Sequence, residues 1–511
     1  MNILTPIGSG SQHEIGFGTA VSQSADGSIV AISAPAYNAY TGAVWLFNQN
    51  VLMGNQLTGS GSSGQSNQGT SVSLSSDGYT LAIGGYGDGG YSGTGATWVF
   101  KRNTDNTWSQ MGNKLVGTGS VDPSFMGPAQ GTSVSLSSNG TILAVGGPND
   151  GTYNGAVWLF TRDSNDIWSQ YGNKIVGSLG SSSMSSQGTS VSLSGDGKIL
   201  AVGGNSDGDN LGAAWIFDTS TGTEITKLVG TGNIGNSGQG KSISLSSDGK
   251  TLAVGGPGDD SQVGAVWMYR NNGSGWLQIG KLIGSHVPGI VYMGGSVSLS
   301  GNGTELVVGG PLNDNISGCT WLFTDTNSVF YETNKLVIPQ VRAQAKAVSI
   351  SSDGSLILIG CPSNNNGIGY VYNVAVSSMP TVAPTDSPTY PPTYPPIDSP
   401  TYPPTYPPTD SPTYPPTYPP TYSPTFAPTY SPTFAPTDSP TYMPTDSPNG
   451  VPVLIPATIS TNAPSVIPIV QELSFSNKMA IGFSVGIPLF ILFILALTKV
   501  CKIIYNRYKT I

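Results

Sequence analysis

The chain has 511 residues, of which only 9% are charged while 69 are Gly and 39 are Pro, a balance that excludes an average soluble enzyme. Its 19 basic and 28 acidic residues leave a net charge of −9, so no basic field exists for nucleic acid and that partner class is excluded. Three cysteines, Cys319, Cys361 and Cys501, are too few and too scattered for a disulfide framework or a zinc site.

From the N-terminus a motif recurs seven times, starting at Val21, Val72, Val134, Val191, Ile243, Val297 and Val348 with a period of 51 to 62 residues. The third copy reads "VSLSSNGTILAVGGPNDGTYNGAVWLF". Its opening alternates apolar and small polar residues, as a pleated strand requires. The S-D-G or S-N-G that follows is a hairpin signal, because these residues tolerate positive φ. "TLAVGG" predicts a second strand and "GAVWLF", apolar on both faces, a third that is buried on both. Segments such as "TWSQMGNKLVG" (107–117) and "IWSQYGNKIVG" (167–177) predict a fourth.

Four short antiparallel strands repeated seven times predict an all-β fold, a seven-bladed β-propeller occupying residues 1–374. Ser, Gly and Ala crowd the first two strands, where radial blades converge, while Trp and Leu occupy the wider third and fourth. The seventh copy ends at its third strand, "YVYNVAV", whereas the N-terminal "NILTPIGSGSQ" resembles a fourth strand. Residues 2–10 are therefore expected to complete the last blade and close the ring, hiding its edges.

The pattern W-S-Q-x-G-x-K-L-V-G … Q-G-x-S-V-S-L-S-x-D-G-x-x-L-A-V-G-G-P-x-D … G-A-V-W-x-F resembles the FG-GAP repeats of bacterial and algal surface proteins and, more distantly, the integrin α-chain propeller. The resemblance covers roughly residues 1–374 and implies the fold; it implies little about activity, because propellers carry many unrelated ones. Kelch repeats share the glycine pair and a later Trp and stay as an alternative blade type. Integrin-like repeats hold Ca²⁺ in a D-x-D-x-D-G hairpin, and this chain departs from that pattern. The equivalent turns offer only Asp26, Asp77, Asn139, Asp196, Asp248, Asn302 and Asp353, at most one carboxylate each, too few for a hard cation. No metal site and no cofactor is expected. Sialidase-like chemistry is excluded by turn spacing and by the scarcity of arginine, with Arg102, Arg162, Arg270 and Arg342 alone in the propeller.

Acids follow the glycine pair in five copies: Asp88; Asp150; Asp207 and Asp209; Asp259 and Asp260; Asp314. Loops between second and third strands share one face of the disc, so these residues are expected to form an acidic rim, a candidate site for a cation or a basic partner. No catalytic residues are expected. The two histidines, His13 and His286, lie outside the repeated strands without a plausible Cys or Asp partner, and no phosphate-loop motif occurs.

Residues 375–449 form a Pro/Thr-rich stalk in which, from Pro380 to Pro448, proline recurs at every fourth position, eighteen times. Such a tract predicts polyproline II with a reach of up to roughly 200 Å. Its Ser, Thr and Tyr hydroxyls are candidates for modification. A juxtamembrane linker (450–478) leads to Met479–Thr498, twenty residues without a charge, the length of a transmembrane helix. Lys499, Lys502, Arg507 and Lys509 follow, so the tail (499–511) is expected in the cytosol and the propeller outside. Gly482 and Gly486 form a G-x-x-x-G suited to helix-mediated self-association, and Cys501 is a candidate for palmitoylation. The N-terminal "MNILTPIGSGSQ" shows no signal-peptide pattern, so translocation is expected to take another route. Asn139, Asn272, Asn302 and Asn315 are N-glycosylation sequons if the propeller is lumenal.

The expected function is that of a single-pass protein at a cell or virion surface, presenting a propeller for attachment to an extracellular protein or glycan. A structural coat or wall component with a cross-linked stalk is the alternative, and a carbohydrate-active propeller enzyme the less favoured third.

Overall fold

The computed structural model describes residues 1–5, 16–90, 92–121, 127–179, 184–285, 289–311, 318–338, 341–364 and 369–379. The chain forms two units, Met1–Thr401 and Tyr402–Ile511, and every described residue lies in the first. The expected stalk beyond residue 379, the transmembrane segment, the basic tail and Cys501 lie outside the described residues. Among the described residues no helix is long and apolar enough to cross a membrane.

Seven four-stranded antiparallel sheets form the blades, and in blades 1 to 6 the strands follow one another in chain order. Blades 1 to 6 begin with first strands Val21–Gln23, Ser71–Leu74, Ser133–Leu136, Ser190–Leu193, Ser242–Leu245 and Ser296–Leu299. Blade 7 combines Ala347–Ile350, Leu356–Cys361 and Tyr370–Ala375 with the N-terminal strand Asn2–Leu4. That strand pairs Asn2 with Asn373, Ile3 with Tyr372 and Leu4 with Val371, so the ring is closed by the two ends of the repeat region. The pairing is confined to these three residues; 6–15 lie outside the described residues.

The apolar core lies between blades rather than within one. Ile29, Ala31, Val44 and Leu46 of blade 1 pack against Val72, Leu74, Leu81 and Trp98 of blade 2, and the same arrangement recurs around the ring. Leu4, Leu358 and Val371 of blade 7 meet Phe17, Val30 and Trp45 of blade 1 across the closure. The taper read from composition follows from these contacts. A Cβ on Gly84 would stand 2.2 Å from the Gly131 carbonyl of the next blade, and one on Gly85 would stand 2.8 Å from the Trp98 ring.

The first strands meet at the axis. Ser22 Oγ accepts from the Leu74 amide of the next blade, and Ser73, Ser135, Ser192, Ser244 and Ser298 repeat the bond. At the hairpins between first and second strands, seven backbone bonds form a closed circle. Ala25 N–H donates to Ser76 O, Ser76 to Ser138, Ser138 to Gly195, Gly195 to Ser247, Ser247 to Gly301, Gly301 to Ser352 and Ser352 back to Ala25, all at 2.8–2.9 Å. Only Ala, Ser and Gly occupy this circle because its members touch: a Cβ on Gly301 would lie 2.0 Å from Ser352 Oγ.

Between second and third strands the sequence predicts plain loops, and blades 1, 3, 4 and 5 instead carry a one-turn left-handed element. In blade 3, Gly151, Thr152 and Tyr153 have φ of 61°, 63° and 66°. This handedness, costly for residues with a Cβ, turns successive carbonyls toward the connection that leaves the blade. Tyr153 O accepts from Ser186 N, and Asn154 O accepts from Gln187 N, at 2.8 and 2.9 Å.

Candidate functional site

One face of the disc gathers the loops between second and third strands together with the connections from each fourth strand to the next blade. Four side-chain groups build it, and blades 2 to 5 carry most of them. The third-strand Trp lies flat on the glycine ending the preceding L-V-G: Cβ atoms on Gly59, Gly117, Gly177 and Gly230 would stand 2.1–2.4 Å from Cδ1 of Trp98, Trp158, Trp215 and Trp267. The indole N–H then donates to the next carbonyl, that of Ser60, Thr118, Ser178 or Thr231, at 2.8 Å.

A glutamine locks the same glycine from the other side. Gln130 Oε1 accepts from Gly117 N–H at 2.6 Å and its Nε2 donates to Gly117 O at 2.9 Å. Gln68, Gln187 and Gln239 do the same for Gly59, Gly177 and Gly230. The fourth-strand Gln110, Gln170 and Gln278 reach back to Ser60, Thr118 and Thr231, stitching each blade to the connection before it.

The predicted acids divide. Asp88, Asp150, Asp207 and Asp259 are buried, and each is paired with the fourth-strand lysine of its own blade: Lys114, Lys174, Lys227 at 2.7 Å and Lys281 at 2.6 Å. Their second oxygens accept from the incoming connection: Ser63 N–H for Asp88, Val121 N–H for Asp150, Ile234 N–H for Asp259 and the Ser185 hydroxyl for Asp207. These four carboxylates are therefore neutralised inside their blades. Asp209 and Asp260 are exposed, and Asp314 lies outside the described residues. Among the described residues no group of three or more His, Cys, Asp or Glu side chains is placed to hold a metal ion.

The lysine partners were not singled out by motif reading, yet the repeats carry a signal for them. Blades 2 to 5 have both Asp and Lys at the paired positions. Blade 1 has neither; there Tyr37 stands in the acid's place and Gln56 in the lysine's, and Gln56 Nε2 donates to Tyr37 Oη at 3.2 Å. The lysines also lie over the Trp rings, Lys227 at 5.0 Å from Trp215 and Lys281 at 5.3 Å from Trp267.

On the opposite face the hairpin carboxylates serve their own turns. Asp196 is held below the usual carboxylate range by the Lys198 amide and the Ser194 hydroxyl, and Asp353 by the hydroxyl of Ser351 and the amide and hydroxyl of Ser355. Asn139 and Asn302 accept the same bonds through Oδ1, from Thr141 and Thr304. Both are exposed, as is Asn272, whereas Asn315, His13 and His286 lie outside the described residues. Burial pushes the Cys361 thiol up to about 12, and Cys319 is buried as well.

No family model and no curated relative matches the chain. Among solved structures it is similar to Kuenenia stuttgartiensis Hydrazine Synthase at 12% identity and a TM-score of 0.47, covering 73% of this chain and 99% of that chain. A likeness so distant carries no argument about activity. The strand order and the closed circle at the axis define what this chain is as a fold: a seven-bladed β-propeller of four-stranded antiparallel blades.

Proposed function

We propose that the protein is a single-pass, membrane-anchored surface protein whose propeller recognises an extracellular protein or glycan rather than catalysing a reaction. The observation that carries this reading is the order of parts in the sequence: a propeller, eighteen prolines in four-residue register, an uncharged stretch of twenty residues and a basic tail. A stiff tract that holds a head away from an apolar anchor suits presentation of that head. The resemblance to FG-GAP surface proteins supports the same reading. So does the gathering of loops on one face, where variation leaves the blades intact. In this reading the sequons Asn139, Asn272, Asn302 and Asn315 carry glycans, Cys501 is acylated, and the G-x-x-x-G of Gly482 and Gly486 pairs helices.

Protease treatment of intact cells or particles tests it. Cleavage of the propeller while the tail stays protected is expected, and a protected propeller overturns the reading. The coat or wall alternative is favoured only by the tyrosines between the stalk prolines; covalently linked stalk tyrosines with no binding of the chain to cells or glycans would select it.

A further inference from the structure

The outer edge of blade 1 departs from the repeat. Its third strand, Ala43–Asn48, turns back through Gln49 and Asn50 alone, pairing Asn48 with Val51 and Phe47 with Leu52. Blade 2 instead runs through residues 103–107 before Trp108 pairs with Arg102. The short hairpin uncovers its neighbour. Trp168 of blade 3, the counterpart of Trp108, joins Met111 and Leu115 and is 9% exposed. Trp108 joins the equivalent Met53 and Leu57 but stays only partly buried.

The boundary beside it also lacks a bridge found elsewhere. Lys101 and Asp166 form an ion pair at 2.8 Å between blades 2 and 3, and Arg270 and Asp325 form one at 2.6 Å between blades 5 and 6. One boundary earlier the counterparts of Lys101 and Asp166 are Asn48 and Asn106, and no hydrogen bond joins the two among the described residues; Asn106 Oδ1 accepts from Arg102 of its own blade. A groove of about 800 Å³ lies there on the rim of the disc, lined by Asn48, Gln49, Asn55, Gln56, Asn106 and Trp108 over the apolar Met53 and Leu57. That volume falls among those of sites that hold small organic ligands.

The lining selects the ligand. Five primary amides face the groove, each both donor and acceptor, and those of Asn48, Gln49 and Asn55 make no side-chain hydrogen bond among the described residues. Hydroxyl groups have the same dual character. No Lys or Arg lines the groove, and its one acid, Asp105, has Oδ1 taken by the amide and hydroxyl of Thr107. The Trp108 Nε1–H is buried, so the part of its ring left to solvent is carbon. Such a surface suits the C–H face of a sugar ring, whose weakly positive hydrogens meet the negative face of the indole. A peptide would offer its carbonyls to an indole donor that is turned away.

We propose that the rim groove between blades 1 and 2 binds a neutral glycan, one sugar ring stacking on Trp108 and its hydroxyls bonding to the amides of Asn48, Gln49 and Asn55. The inference deepens the recognition reading by choosing a glycan over a protein, and rests on it only for the glycan's being extracellular.

The test screens the full chain against an array of neutral and sulfated oligosaccharides, then titrates the strongest neutral binder while tryptophan emission is followed. Saturable binding with a change in emission is expected, and raising the salt should leave it unaltered because no cation lines the groove. Asn48→Lys with Asn106→Asp installs the ion pair of blades 2 and 3 across the groove while keeping Trp108. It should abolish both binding and the emission change without loss of thermal stability. Trp108→Phe, which keeps a ring, should weaken binding less than Trp108→Ala, for which a loss of about tenfold or more is expected. Retention of no neutral oligosaccharide, binding that only sulfated ones show, or equal binding by the Asn48→Lys, Asn106→Asp protein overturns the proposal. Capture of a peptide at this groove in place of a sugar, lost in the same variants, overturns the choice of a glycan. Glycan binding by a protein whose propeller proves protected on intact cells would uphold the site and remove the surface reading, whereas an exposed propeller that binds no sugar would do the reverse.

Discussion

Gly117 lies so close against the indole of Trp158 that a Cβ there would stand 2.1 Å from Cδ1. The contact joins the end of blade 2 to the third strand of blade 3, and Gln130 holds the glycine from its other side. Gly117→Ala should therefore force the indole or the connection to shift, at a cost of about 2–3 kcal/mol. Gly280→Ala is the control, since a Cβ there meets nothing within 4 Å. Denaturant unfolding of the two variants checks the contrast; equal stabilities would mean that the indole shifts freely.

The Lys281–Asp259 pair is almost wholly withdrawn from solvent, with 7% and 0% of the side chains exposed. Lys281→Ala leaves the carboxylate buried without its charge partner and should cost about 3–5 kcal/mol, whereas Lys281→Met with Asp259→Leu should recover most of that. The pair of variants, compared by thermal unfolding, separates the cost of an unpaired charge from that of lost volume.

Blade 6 has Met293 where blades 2 to 5 carry the clamping glutamine, and the Gly284 amide points at its sulfur at 3.0 Å. A thioether is a weak acceptor. Met293→Gln should supply the two missing bonds and raise stability by about 1 kcal/mol. A drop on unfolding analysis would show that this buried site is shaped for the thioether.

Leu4 is 2% exposed and is the buried residue of the closing strand. Leu4→Ala should cost about 2–4 kcal/mol. Deletion of residues 1–5 should go further, baring the edge of Tyr370–Ala375 and producing association visible in light scattering. A monomeric, equally stable deletion would show that closure does not depend on this strand.

Asp196 and Asp353 are held below the ordinary carboxylate range, so their contribution is present above the unfolded value of about 4 and is lost as pH falls through the folded one. Asn139 and Asn302 fill the equivalent turns without titrating. Asp196→Asn with Asp353→Asn should accordingly leave stability near neutral pH unchanged and reduce its loss in acid, as a pH series of unfolding curves would record.

Local chemistry by itself determined the blades. Period-two alternation, the Asp-Gly and Asn-Gly turns and the glycine pair are properties of neighbouring residues, and seven copies made them legible; even the closing strand could be matched by its likeness to a fourth strand. Internal comparison also held the Asp–Lys pairing, since Tyr37 and Gln56 replace both partners together. Tertiary structure alone decided what the acids do. Asp150 and Lys174 are separated along the chain and meet only because the third strand pairs with the fourth, which buries a carboxylate that the sequence presents as a loop residue.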